Sequence, residues 1–186
     1  RRSSDLEDGE PVKYEITKPI NAYDADLFGL EFAYQRDFGF IAPSLKCLGF
    51  YGTYTYTHSS TKKHQFEHRT LEEGEDIKMT GSPEHTANAS LYFENKGLNV
   101  RLSYNFASDF VDEFGTVAAL DRYYDKVNYL DLNASYTFGN KFKTTFYAEA
   151  NNLLNQPLRY YQGTKDRTMQ AEYYGMRLNA GVKMNF

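Results

Sequence analysis

In the last seventeen residues, Gln170 to Phe186, apolar and mostly polar side chains alternate from Tyr173 onward. Steps of two back from the last residue give Phe186, Met184, Val182, Ala180, Leu178, Met176 and Tyr174; between them stand Asn185, Lys183, Gly181, Asn179, Arg177, Gly175 and Tyr173. Successive side chains of a strand point to opposite faces, so this stretch predicts a strand with one apolar and one polar face. The same period recurs upstream. Phe28, Leu30, Phe32 and Tyr34 oppose Gly29, Glu31, Ala33 and Gln35 in a strand predicted over 25–38. Leu48, Phe50, Tyr54 and Tyr56 oppose Tyr51, Thr53, Thr55 and Thr57 over 45–58. Further strands are expected over 85–94 (Ala87, Ala89, Leu91 and Phe93 on one side) and from Leu98 to Phe106. Two more run over 124–138 and from Phe142 to Ala150.

The connections alternate as well. Short turns are predicted at Gly39–Ser44, Asn95-Lys96-Gly97 and Gly139-Asn140, and long loops at 59–83, 110–122 and 151–169. Residues 1–11 are polar and acidic and read as a loop. Val12, Tyr14, Ile16 and Ile20, interrupted by Pro19, read as an extension of the 25–38 strand beyond the sheet. Short turns at one end, long loops at the other and strands long enough for a tilted span are the pattern of an antiparallel transmembrane β-barrel. Aromatic residues sort by level too. Phe38, Phe40, Phe93, Phe138, Phe142 and Phe186 fall at the short-turn ends, and Tyr54, Tyr56, Phe110, Tyr123, Tyr124, Tyr173 and Tyr174 nearer the long loops, as two interfacial girdles would. A soluble antiparallel sheet alternates similarly, but the interior of a small barrel is filled by far fewer Tyr, Phe and Leu side chains.

Composition changes little in this picture. Aromatics make up 17% of the 186 residues, with 17 Tyr, 14 Phe and no Trp, which favours strand over helix. A negative mean hydropathy does not argue against a membrane barrel, whose lumen-facing residues offset its lipid-facing ones. The net charge of −4 and the lack of a basic patch argue against a nucleic-acid partner. Cys47 is single, so no intrachain disulfide is expected. The chain begins Arg1-Arg2-Ser3-Ser4, without Met or an apolar leader, and is expected to be the tail of a longer protein.

Little of the sequence suggests catalysis. His58, His64, His68 and His85, with Glu72, Glu73, Glu75 and Asp76, could suggest a metal site, but most lie in a mixed-charge loop without regular spacing. A solvated loop is expected, with no metal, cofactor or catalytic residue. Asn88-Ala89-Ser90 and Asn133-Ala134-Ser135 match the glycosylation sequon within strands and read as chance matches. Glu31, Gln35, Arg101, Asn105, Asp131, Lys143, Glu149, Arg177 and Lys183 are the expected lumen-facing set, available to a plug or a substrate. His64, His68, Arg159, Tyr160, Tyr161 and Arg167 are candidates for contact with substrate or lipopolysaccharide in the outer loops.

Three segments carry a family resemblance. Asn21-Ala22-Tyr23-Asp24-Ala25-Asp26-Leu27-Phe28-Gly29-Leu30-Glu31 resembles the segment of TonB-dependent outer-membrane receptors that leaves an extracellular loop and descends as a barrel strand. Asn151-Asn152-Leu153-Leu154-Asn155 is similar to the element after that family's penultimate strand, and Tyr173 to Phe186 to its terminal strand. The resemblance implies a 22-stranded barrel around a plug, of which residues 12–186 would be the C-terminal part, with about seven or eight strands. It implies import of a scarce large nutrient (siderophore-bound iron, cobalamin or a glycan) across the outer membrane of a Gram-negative bacterium, driven by TonB through the plug. It also implies that Phe186, with Met184, Val182 and Tyr174, is read by the outer-membrane assembly machinery. A small eight-stranded structural or adhesive outer-membrane barrel is the alternative, and a soluble lipid-binding barrel a third.

Overall fold

The alternating segments become long antiparallel strands joined edge to edge. The computed structural model describes residues 6–7, 10–11, 25–61, 69, 77–140 and 142–185. Two short strands, β1 (Leu6–Glu7) and β2 (Glu10–Pro11), pair with each other where a loop was expected. The long strands are β3 (Ala25–Asp37), β4 (Leu48–Thr61), β5 (His85–Asn95) and β6 (Leu98–Ala107). After the short strands β7 (Phe110–Glu113) and β8 (Arg122–Tyr124) come β9 (Val127–Phe138) and β10 (Lys143–Asn151). The shorter β11 (Leu158–Gln162) and β12 (Thr164–Glu172) precede the terminal strand β13 (Arg177–Asn185).

Seven of these form one sheet in the order β3-β4-β5-β6-β9-β10-β13, each strand beside its neighbour along the chain apart from the inserted loops. Residues directly opposite in an antiparallel pair share a face, so the register shows which side chains stand together. Phe50, Leu91, Leu102, Leu132, Ala150 and Leu178 form one unbroken row across six strands. Leu48, Phe93, Val100, Ala134, Ala148 and Ala180 form the next. On the other face, Gln35, Tyr51, Ser90, Ser103 and Asp131 form one row, and Arg101, Asn133, Glu149 and Asn179 lie in another.

The apolar face has no protein core against it. Leu178 is 68% exposed, Val182 51%, Leu30 60% and Leu91 51%. The buried hydrophobic residues among those described are Ile77, Val111 and Tyr161, and none belongs to the seven-stranded sheet. A soluble sheet would bury this face. Here the strands meet their surroundings through a continuous greasy surface, far larger than the exposed apolar patches of soluble monomers.

The two ends of the sheet differ. Turns at 38–47, 96–97 and 139–142 join strands at one end. At the other, the connections 62–84, 108–126 and 152–176 are long, and the last two are not irregular: β7, β8, β11 and β12 pair in the order β12-β11-β8-β7 as a second, four-stranded sheet. Strands were not expected there, because each is short and its partner lies in the other loop. We call this sheet, with the segments packed on it, the cap.

Several boundaries move accordingly. Leu45 closes a 3-10 turn (Pro43–Leu45), and β4 begins at Leu48. Phe110, Tyr123 and Tyr124 belong to the cap sheet. Tyr54 and Tyr56 do sit at the cap end of the apolar face, where they pack on His85, with ring centroids at 6.1 and 5.3 Å. The stretch expected as one strand from Gln170 is two: β12 ends at Glu172, Gly175 turns the chain at φ 73, and β13 starts at Arg177. Tyr174 therefore precedes the terminal strand, 69% exposed. The alternation of β13 runs back through Met176 and Tyr174, although neither lies in a strand. Phe186, His64, His68 and the expected strand extension at 12–20 lie outside the described residues.

Candidate functional site: the polar face and its cap

All nine residues expected to line a lumen stand on the polar face: Glu31, Gln35, Arg101, Asn105, Asp131, Lys143, Glu149, Arg177 and Lys183. Their surroundings differ. Arg101 lies over the Tyr92 ring at 5.5 Å. Tyr92 in turn lies so close over Gly49 that a Cβ there would fall 2.2 Å from its ring. Gly181 leaves similar room for Tyr147. Aromatic rings thus lie flat against the wall over cross-strand glycines, and a polar ridge runs beside them. Asp131 is committed elsewhere, since its carboxylate accepts the Asn152 amide at 2.8 Å.

That bond begins the cap. Asn152 and Asn155 sit at φ 58 and 51, a left-handed conformation in which Asn is enriched. The buried Asn152 side chain accepts from the Gln156 amide at 2.8 Å and donates to the carbonyls of Gln156 at 3.1 Å and Gly175 at 3.3 Å. One asparagine therefore ties both ends of the 152–176 loop together at the rim, which accounts physically for the Asn-rich motif.

Within the cap, β11 pairs with β8 through Tyr160↔Tyr124 and Tyr161↔Tyr123, so the two loops form one body. Tyr161 stacks on Tyr123 at 5.0 Å and donates its hydroxyl to Asp109, which also meets Lys165 Nζ at 3.2 Å. Burial would push the Asp109 carboxyl up, but the bonds from Tyr161 and Lys165 outweigh it and hold the group below its ordinary range. Burial and the same Asp109 bond push the Tyr161 phenol far up. Arg69 docks into the cap as a buried ion pair with Asp121, whose carboxylate also accepts the Gly115 amide at 2.8 Å. Arg69 donates further to the Gly115 carbonyl at 3.2 Å and lies over Phe114 at 5.2 Å. A cavity of about 400 Å³ lies beneath, lined by Lys78, Glu84, His85, Asp109, Val111 and Tyr123 among others.

The candidate loop contacts are mostly parts of this framework. Arg159 bonds Asp125 at 2.6 Å and Thr168 at 2.9 and 3.1 Å. Tyr161 is 3% exposed and turned away from any ligand outside the cap. Arg167 donates to the Ala119 carbonyl at 3.1 Å and to Gln162 at 3.3 Å. Tyr160 is half-buried on the opposite face, edge-on to Tyr124 at 5.1 Å. The Arg69–Asp121 pair and the pairing of the two loops escaped the sequence reading. The adjacent tyrosines Tyr123-Tyr124 and Tyr160-Tyr161, each next to an Arg, were the available signal.

Compared with known proteins, residues 3–153 match the family model described as "TonB dependent receptor-like, beta-barrel". The match ends within the Asn-Asn-Leu-Leu-Asn segment, so β11, β12 and β13 lie beyond it. No curated protein and no solved structure matches the chain.

Proposed function

This chain belongs to the TonB-dependent receptor β-barrel family, and from that premise we propose that it forms part of the wall and outer mouth of an outer-membrane active transporter. The observation that carries the reading is the apolar face, whose rows run across six strands with Leu91, Leu102, Leu132 and Leu178 exposed, while most polar side chains stand opposite. In a bilayer the first face meets acyl chains and the second lines a lumen. The outer edges of β3 and β13 hold backbone groups that hydrocarbon cannot satisfy. Further strands of the same barrel pair there, which makes residues 12–186 one portion of a larger barrel domain.

On this reading the lumen-facing set meets the plug and passing substrate, TonB supplies energy through the plug, and lipid and lipopolysaccharide surround the wall. The cargo is a large scarce nutrient, and the protein is a carrier, not an enzyme. The terminal residues Val182, Met184 and Phe186 present the assembly signal; deleting Phe186 lowers the yield of folded barrel, and an unchanged yield would remove that role.

Growth separates this from a small adhesive barrel. Wild-type cells, cells lacking the full-length receptor and cells lacking TonB are compared on limiting ferric siderophore, cobalamin or polysaccharide. Loss of growth on the same nutrient in both mutants is expected. A receptor phenotype that persists unchanged without TonB, or that touches no nutrient, sinks the transporter reading.

A further inference from the structure

Each cap strand is joined to the wall strand that holds the same place in its own sheet. β7 follows β6, β8 leads into β9, β11 follows β10 and β12 leads into β13. The cap order β12-β11-β8-β7 therefore repeats the wall order β13-β10-β9-β6. The cap continues the wall, and its two edges, β7 and β12, continue β6 and β13.

The β7 edge is met by the next loop along the wall. β5 lies beside β6, and the loop that leads into β5 is 62–84. From that loop the Gly81 amide donates to the Val111 carbonyl of β7 at 2.9 Å, and Arg69 reaches the Asp121 carboxylate and the Gly115 carbonyl. An edge strand carries a row of unpaired backbone groups. Here the loop of the adjoining wall strand takes up one of them and pins itself to the cap.

The β12 edge has no strand beside it other than β11 among the described residues. Thr164 to Ala171 are exposed throughout. The two halves of the strand differ. Across Lys165-Asp166-Arg167 the pairing with β11 loses register, and charge and irregularity of this kind protect a free edge. Past Met169, the residues Gln170, Ala171 and Glu172 pair with β11 one for one. This half holds no Pro or Lys, and its single charge, Glu172, already accepts bonds from Gln170 and Tyr174. Met169 is 52% exposed and Tyr173 72%, so large side chains flank the open backbone. A regular, exposed edge without protective devices is a template for another strand.

Continuity names the occupant. β12 runs through 173–176 into β13, whose own outer edge pairs with a further wall strand in the barrel. The outer loop of that wall strand lies next to β12, as the loop 62–84 lies next to β7. We propose that the Thr168–Glu172 edge pairs with a strand from that loop, a segment of the same polypeptide outside residues 1–186. The cap is then closed at both edges by its neighbouring loops and is tied across the seam beside β13. The proposal rests on the larger-barrel reading above.

The test uses the full-length receptor. Hydrogen–deuterium exchange follows two peptides together, 164–172 of β12 and 177–185 of β13. An edge strand leaves about half of its amides pointing outward and free to exchange, whereas a strand paired on both sides protects nearly all of them. Nearly complete protection is expected over Thr168–Glu172. In parallel, p-benzoylphenylalanine placed at Met169 is photo-cross-linked in cells, and the captured peptide is identified by mass spectrometry. The expected peptide belongs to the same polypeptide, outside residues 1–186, in the outer loop of the strand that pairs with β13. Free exchange of about half the amides over Thr168–Glu172 overturns the proposal. So does the lack of a cross-link, or a cross-link to residues within 1–186, to a second copy or to another protein. The β13 peptide separates two failures. Protection of β13 without protection of β12 removes the cap closure and leaves the larger barrel standing; free exchange of about half the amides in both strands removes the larger barrel as well.

Discussion

Leu102→Arg and Ser103→Arg place the same charge one residue apart on β6, on opposite faces. The apolar set of that strand runs Leu98, Val100, Leu102, Tyr104 and Phe106, with Leu102 at its centre. At about 3.4 Å per residue and a tilt near 45°, Leu102 lies roughly 10 Å in depth from either end of the set. It is flanked by Leu91 and Leu132 in register. An Arg near mid-bilayer costs about 2–4 kcal/mol, which lowers the folded-to-unfolded ratio roughly 30- to 700-fold. Ser103 loses one hydroxyl contact to Ser90 at 3.0 Å, but an Arg there stands directly opposite Asp131 in a hydrated lumen. The assay is the heat-modifiable gel shift of the full-length receptor in isolated outer membranes, with a urea midpoint for the purified protein. Leu102→Arg should lose most of its folded band, and Ser103→Arg should keep it. Equal bands, or the reverse order, would mean that the faces are assigned the wrong way round.

Gly49→Ala drives a methyl into the Tyr92 ring and should lower stability by about 1–3 kcal/mol as overpacking does, read as a lower urea midpoint; Gly49→Ala combined with Tyr92→Ala should recover part of the loss. Asp121→Ala leaves the Arg69 guanidinium buried without its carboxylate, a change worth about 3–5 kcal/mol; the cap should become protease-sensitive while the heat-modifiable barrel persists, and a protease-resistant cap would contradict the buried pair. Cap docking should also depend on pH. The Asp109 carboxyl is held below its ordinary 3.8, so its contribution is present above that pH and lost as pH falls through the depressed value. The Tyr161 phenol is held above its ordinary 10.0, so its contribution is present below pH 10 and lost as pH rises from there. Asp109→Asn should bring the Tyr161 titration, followed by ultraviolet absorbance, back down toward 10.0.

The wall could be read from the chain because both of its determinants are local. Alternation assigns each side chain to a face, and turn residues such as Lys96-Gly97 fix where a strand ends. Leu102 and Arg101 could therefore be separated before any coordinates. The boundary at Gly175 could not. Tyr174 and Met176 continue the alternation of β13 although neither lies in a strand.

The cap depended on contacts between distant segments. Arg69 meets Asp121, Tyr161 meets Asp109, and Tyr160 meets Tyr124. None of these pairs leaves a periodic trace, because a four-residue strand such as β7 is shorter than any reliable repeat. Tyr160 and Tyr161 are neighbours of the same type, yet one belongs to the open face and the other to the buried one. Local periodicity could place a residue on one side or the other of its own strand. Which side of a loop strand is covered follows from which other loop packs against it, and that pairing is made in space by residues far apart along the chain.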